Sequence, residues 1–339
     1  MKAAVLRRPL QISVEDVPKP PVGSREVLVN IRATAVCGTD VGIYTGKNPV
    51  PLPLIMGHET TGEIVEIGSG VTRVHVGEAI VIDPTISCGT CYLCRMGRSN
   101  LCEAGGLMGR ESQGSYAEFA AVPESRVYRL PKDISYEDGT TLVALFTVVS
   151  GQRKLPFLAG SSMAILGMGV TGLLHLQLAK LSGASPVIVT SRSPWKLDLA
   201  RRFKADIIIN AKEGDPIEGV KRATHGRGVD VAIESAGSVE TIRQSLKMAR
   251  PGGMVLQYGI AAKSMDGLDL YPLYYRELTV IGSRAFTSRD LEVALELVGA
   301  GGIDLEPFVT HRFSLEKIAE GLEFVQGHPG DVLRAVIQV

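Results

Sequence analysis

Four cysteines lie within fifteen residues, as Cys88-x-x-Cys91-x-x-Cys94-x7-Cys102. Short C-x-x-C steps let successive thiolates converge on one tetrahedral ion. Four protein ligands leave no open position, so the spacing predicts a structural zinc that holds a loop without a core of its own. A redox or disulfide role and an iron–sulfur cluster are the alternatives. The fifth cysteine, Cys37, stands alone in Cys37-Gly38-Thr39-Asp40, 21 residues before His58 in Gly57-His58-Glu59. Cysteine, histidine and glutamate all bind zinc, and three protein ligands plus water make a catalytic zinc. By residue type alone, Cys37 also reads as a small buried hydrophobe, and His58 as a satisfied polar group.

A second chemistry is written in glycines. Gly167-Met168-Gly169-Val170-Thr171-Gly172 fits G-x-G-x-x-G, after a predicted strand and before a predicted helix. In that context Gly167 permits a tight turn, Gly169 lets the backbone approach a pyrophosphate, and Gly172 lets helix and strand pack closely. Met168 and Val170 lie in the same turn, and the helix N-terminus offers free N–H groups to phosphates. An ordinary strand–turn–helix connection is the alternative. An NAD site has an acid about 20 residues further on, bonded to the ribose 2′-OH. Here the chain reads Val189-Thr190-Ser191-Arg192-Ser193, with no acid. Ser191 can donate to a phosphate oxygen, Arg192 can pair with a 2′-phosphate, and Lys196 adds charge. The missing acid and the present base favour NADP over NAD; a solvated surface arginine is the bland reading.

The elements that must position these residues change style along the chain. The first ~125 residues read as short strands: Lys2–Leu6, Glu26–Arg32, Gly62–Ile67, Ala79–Ile82 and Ala117–Val122. Near residue 150 strands begin to alternate with helices. Strands are expected at Met163–Leu166, Val187–Thr190, Asp206–Ile209, Val229–Glu234, Met254–Tyr258 and Leu278–Gly282. Helices are expected at Val170–Leu181, Pro194–Phe203 and Val239–Met248. That alternation predicts a parallel sheet covered by helices on both faces. Two amphipathic helices, Arg289–Val298 and Leu315–Gln326, and a strand Leu333–Val339 close the chain. The expected organisation is α/β: a β-rich domain of residues 1–149 and 288–339, with an inserted doubly wound domain of residues 150–287.

Composition excludes other classes. The 36 basic and 36 acidic side chains give zero formal net charge, against a dedicated nucleic-acid binder. Hydrophobic residues at 45% and charged residues at 21% describe a globular chain with enough apolar surface for its cores. Glycine is in excess at 38 of 339 residues, which calls for many tight turns. The stretch 161–190 is apolar, but His175, Gln177 and Lys180 interrupt it, so no membrane span is expected. An odd cysteine count and no secretory signal pattern at the N-terminus predict a cytoplasmic protein.

Together these motifs resemble the zinc-dependent medium-chain alcohol dehydrogenases, in the sorbitol/threonine dehydrogenase-like branch. The matching segments are Cys37–Asp40, Gly57-His58-Glu59-Thr60-Thr61-Gly62, the four-cysteine lobe, Gly167–Gly172 and Leu278-Thr279-Val280-Ile281-Gly282-Ser283, in the family's order over nearly the whole chain. The resemblance implies a GroES-like catalytic domain and a Rossmann coenzyme domain. It implies that Cys37 and His58 bind a catalytic zinc, with Glu59 as a ligand that can alternate with water. Thr39 matches the hydroxyl that relays the alcohol proton, and Asp40 the acid that orients His58. Two zinc ions per chain, a small alcohol or ketone substrate and a homotetramer, with a dimer as the alternative, follow from the same likeness.

Two positions depart from that pattern. Val143 stands where many relatives carry a further zinc ligand, and Gly42 where many carry a proton-passing histidine. Tyr44, Arg110, Glu111 and Phe286 are weaker candidates for substrate contact, and Arg110 has a surface ion pair as its alternative. The remaining histidines, His75, His175, His225, His311 and His328, fit no motif and read as surface or packing residues. Two rival readings stay open: a zinc-free quinone or enone reductase on the same scaffold, and a non-catalytic binding protein on a dehydrogenase fold.

Overall fold

The computed structural model describes the chain except residues 157, 158, 262–266, 268 and 269. It divides into two compact units. One comprises Met1–Ala144, Ala294–Ala300 and Asp304–Val339, the other Leu145–Val293 and Gly301–Ile303. The chain passes between them within two helices, Leu142–Gln152 and Ser288–Gly299, and again around the short stretch Gly301–Ile303.

The first unit is built on strands. Its largest sheet has seven, and the long central strand Glu26–Ala35 pairs with Glu59–Ile67, Phe119–Pro123 and Arg334–Gln338, all antiparallel. Its burial alternates only partly, with Arg32 alone exposed, because most of it is covered on both faces. Val27, Val29, Ile31, Ile64, Ile80 and Ile82 make one core. A second core gathers Leu6, Ile43, Tyr44, Met56, Tyr116 and Leu322. The final strand Arg334–Gln338 completes the sheet beside Ala33–Ala35, so the end of the chain finishes the fold begun at residue 26. The expected strand at 117–122 begins later, at Phe119. A two-stranded hairpin, Thr85–Ile86 with Gly106–Leu107, forms the neck of the cysteine loop.

The second unit is a six-stranded parallel sheet. From edge to edge its strands are Ile207–Asn210, Val187–Ser191, Met163–Leu166, Val229–Glu234, Ala249–Gln257 and Thr279–Gly282. In chain order this is 3-2-1-4-5-6, the doubly wound arrangement that places ligands beyond the carboxyl ends of the strands. Ala164, Leu166, Ile188, Ala232 and Val255 are buried at its centre. Helices Val170–Leu181, Pro194–Arg202 and Val239–Met248 pack against the strands. Helix Pro216–Ala223 fills a stretch that pattern alone reads as a polar loop. Asp215 caps it through the Ile217 N–H, and Pro216 occupies its first turn.

Candidate metal centres and coenzyme turn

The four-cysteine loop folds around its sulfurs. Cys88, Cys91, Cys94 and Cys102 place their Sγ atoms all within 4.8 Å of one another. The Cys102–Cys88 and Cys91–Cys102 sulfur separations are 3.5 and 3.9 Å. A tetrahedron of sulfurs about 2.3 Å from zinc has edges of about 3.8 Å, so the spacing matches that ion. No disulfide is present among the described residues. The Cys88 and Cys91 N–H groups donate to Cys102 Sγ and Cys88 Sγ, both at 3.3 Å, which turns the loop inward. Backbone donors from Thr90 and Cys91 bring the Cys88 thiol down to about 6, whereas burial and the neighbouring sulfurs push Cys94 up to about 12, so the four thiols do not ionise alike.

The second cluster gathers Cys37, His58 and Glu59 within the same 4.8 Å limit. The chain supplies them from two adjoining elements. Cys37 caps the short helix Gly38–Tyr44, His58 immediately precedes the strand Glu59–Ile67 that pairs with Glu26–Ala35, and Glu59 opens it. Asp40, at the third position of that helix, bonds to the Cys37 backbone and lies against the His58 ring. Its Oδ2 accepts the Cys37 N–H at 2.9 Å and its Oδ1 lies 3.3 Å from His58 Nδ1. Asp40 is wholly buried and His58 and Glu59 nearly so. Burial alone would lower the His58 pKa, but the neighbouring Asp40 carboxylate and Cys37 outweigh it and raise it well above the usual value. A thiol and two carboxylates thus converge on one buried imidazole, with Arg334 paired to Glu59. This donor set and its excess of negative charge fit a divalent zinc. Thr39 is half-buried on the same helix turn.

The glycine turn has the features its spacing predicted. Gly167 has φ +93°, and a Cβ there would lie 2.9 Å from Ala236 Cβ. A Cβ on Gly172 would meet Gly167 O at 1.8 Å, so the helix can approach only a glycine. Gly169, the N-cap of helix Val170–Leu181, has nothing within 4 Å of the corresponding point. That open side is the cradle a dinucleotide phosphate would occupy.

Sequence comparison places these features in a known family. A family model described as the alcohol dehydrogenase GroES-like domain matches residues 23–132, and one described as zinc-binding dehydrogenase matches residues 170–300. Sorbitol dehydrogenase of Bacillus subtilis (strain 168) is 31% identical over 342 residues, covering 99% of this chain and 97% of that protein. The chain belongs to the zinc-binding medium-chain alcohol dehydrogenase family. L-threonine 3-dehydrogenase of Pyrococcus abyssi is 36% identical over 330 residues, covering 94% of this dehydrogenase and 92% of its own length. A zinc-binding dehydrogenase from Sinorhizobium meliloti 1021, solved bound to NADP, superposes with a TM-score of 0.92 at 34% identity. The match covers 100% of this chain and 99% of that one.

Within the dehydrogenase the weaker candidates resolve differently. Tyr44 is not free to meet a substrate: it is 1% exposed, and its hydroxyl donates to Glu323 at 3.0 Å. Burial and that carboxylate push its pKa up to about 12. Phe286 is likewise a packing residue, buried edge-on against Phe146 with 5.2 Å between ring centroids. Both were misread because an aromatic beside a functional motif looks the same in sequence whether it faces a cleft or a core. Arg110 pairs with Glu111 at 3.0 Å with both side chains exposed, the bland alternative for that arginine. At Gly42 a Cβ would lie 2.3 Å from Asn48 Nδ2, so any side chain there must first displace Asn48. Val143 is buried on helix Leu142–Gln152 and contributes no donor.

On the coenzyme unit, Ser191 ends its strand opposite Asn210, and its Oγ accepts the Ser193 N–H at 3.2 Å. Arg192 is exposed, whereas Lys196 is largely buried with its ammonium 5.2 Å from the Trp195 ring centroid. Two buried groups escaped the sequence reading. Arg334 binds the Glu59 carboxylate, and its signal was a lone charge opening the apolar run Ala335-Val336-Ile337. Glu234 is wholly buried at the end of its strand, accepting the Ala236 and Gly237 N–H groups, both at 2.9 Å, and the Thr241 hydroxyl at 2.7 Å. It fixes the loop against which Gly167 packs.

Proposed function

We propose that this dehydrogenase catalyses reversible hydride transfer between a secondary or polyol-like alcohol, or the matching ketone, and NADP(H) in preference to NAD(H). The observation that carries the reading is the Cys37–His58–Glu59 cluster, whose three donors leave a fourth position for substrate or water. Cys37, His58 and Glu59 would hold the catalytic zinc, and Cys88, Cys91, Cys94 and Cys102 a second, structural one. Bound zinc supplies Lewis acidity that lowers the pKa of an alcohol or polarises a carbonyl. Asp40 orients the His58 ring and braces the Cys37 backbone, so two ligands share one support. Thr39 would accept the alcohol proton, and with Gly42 in place of a histidine no side chain at that position would carry it onward. Gly167, Met168, Gly169, Val170 and Gly172 form the pyrophosphate cradle, and Ser191, Arg192 and Lys196 receive the 2′-phosphate.

NADP in the Sinorhizobium meliloti relative supports the coenzyme class, and the exposed Arg192 in place of an acid supports the preference. The assembly we propose is a homo-oligomer, a tetramer by family likeness. The sheet edge Thr279–Gly282 suits such contact, with Val280 47% exposed and Tyr274 and Tyr275 beside it 80% and 71% exposed. Five cysteines with no disulfide among them favour a reducing compartment, the cytoplasm, and no described helix is long and apolar enough to cross a membrane. The deciding experiment is a coenzyme-reduction screen over polyols, amino alcohols and simple secondary alcohols with both coenzymes, beside metal analysis. The reading expects NADP-linked activity and two zinc ions per chain. Zero or one zinc, or full activity after chelation, would transfer the chain to the zinc-free reductases.

A further inference from the structure

A cavity of about 250 Å³ in the coenzyme-binding unit is lined by Lys221, Gly226, Arg227, Gly228, Lys247 and Arg276. Four of these six residues are cations and none is an acid. The cavity lies where the strands Val229–Glu234, Ala249–Gln257 and Thr279–Gly282 begin. The glycine turn follows the end of Met163–Leu166 in the same parallel sheet. The two therefore sit at opposite ends of the strands, about 15–20 Å apart at about 3.3 Å per residue.

Helix capping accounts for part of this charge. Lys221 and Lys247 sit in the last turns of Pro216–Ala223 and Val239–Met248, where a helix carries about −0.5 charge. Lys221 also pairs with Glu218 at 3.1 Å. Arg276 donates to the Leu246 and Ala249 carbonyls, so its place is fixed by backbone and not by a carboxylate. Arg227 follows the helix in a turn set by Gly226 and Gly228, both with positive φ. Neither Arg227 nor Lys247 has a side-chain partner among the described residues. Two helix ends and one glutamate leave roughly two of the four positive charges uncompensated. Like charges held at one hollow repel unless an anion joins them.

We propose that this cavity is a second anion site, separate from the coenzyme turn, that takes a phosphate group. A tetrahedral phosphate suits it because several cations can approach its oxygens from different sides, with Arg276 pre-positioned by its carbonyl bonds.

The test is thermal unfolding of the full-length protein in inorganic phosphate, in glycerol phosphate and in chloride at matched ionic strength. It compares the natural chain with Arg192→Ala and with the double variant Arg227→Ala/Lys247→Ala. Both cavity substitutions fall on exposed side chains, and unchanged NADPH binding verifies that the double variant is folded. Phosphate at tenfold over its Kd should raise Tm by about 2–5 °C in the natural chain and in Arg192→Ala, and not in the double variant. A shift with glycerol phosphate as well assigns the site to phosphate esters, and a shift with inorganic phosphate alone to the free ion. Equal shifts in chloride, an undiminished shift in the double variant, or loss of the shift in Arg192→Ala would each overturn the proposal.

Discussion

Glu59 faces two partners: it stands in the cluster with Cys37 and His58, and its Oε2 is held by Arg334. Both side chains of that pair are less than 10% exposed, so removing the cation would strand a buried carboxylate. Arg334→Lys keeps the charge but loses the planar fork. We expect the lysine variant to fold, to lower Tm by a few degrees, and to surrender the zinc proposed at Cys37, His58 and Glu59 to a chelator at least tenfold faster, while any zinc at the four cysteines is retained. Zinc release followed with a colorimetric chelator reads this directly; unchanged release would show that Arg334 only fills space. Arg192 is the complementary surface case. Arg192→Ala should raise the KM for NADP by about tenfold or more, the value of one charge-assisted pairing of roughly 1.5–3 kcal/mol, and leave NAD nearly unaffected. Equal losses with both coenzymes would remove Arg192 from the 2′-phosphate site.

At the scale of elements, the turn separates two roles of glycine. Gly169→Ala adds a methyl to open space, so Tm should hold while the Kd for NADPH rises several-fold. Gly172→Ala drives a methyl into the Gly167 carbonyl, and should lower both stability and coenzyme binding. Titration of NADPH fluorescence with a melting curve distinguishes the pair. Further along the helix Val170–Leu181, His175 is wholly buried, receiving Gln152 Nε2 at 3.1 Å on its Nδ1. Burial depresses its pKa to about 3. It is therefore neutral in the native unit, while the unfolded chain takes a proton below about 6.5. Its contribution is fully present above pH 6.5 and is lost as pH falls from there toward 3, at up to about 1.4 kcal/mol per unit. Denaturant unfolding between pH 7 and 5 should show this slope, and His175→Gln should flatten it. An unchanged slope would place the acid sensitivity elsewhere.

At the scale of the whole molecule, the exposed edge Thr279–Gly282 bears on assembly. A lysine at Val280 puts charge on an edge whose neighbours are apolar, which natural proteins use to prevent strand pairing. Val280→Lys should reduce the proposed oligomer to smaller species by light scattering, with Tm of the coenzyme unit little changed. A retained tetramer would locate the interface on another face.

Local spacing made much of this protein legible: the four-cysteine loop, the strand–glycine–helix turn and the alternation of the parallel sheet all follow from neighbours a few residues apart. Cys37 and His58 were legible too, but only through a family likeness, because 21 residues of sequence separation carry no geometry. Tertiary structure alone decided which aromatic faces a core, as Tyr44 and Phe286 do. It also brought Arg334 to Glu59 across 275 residues, and gathered the four cations Lys221, Arg227, Lys247 and Arg276 around one cavity from separate loops and helix ends. Sheet pairing sets those contacts, and pairing between distant strands depends on the packing of the whole unit and not on the identity of any adjacent residue.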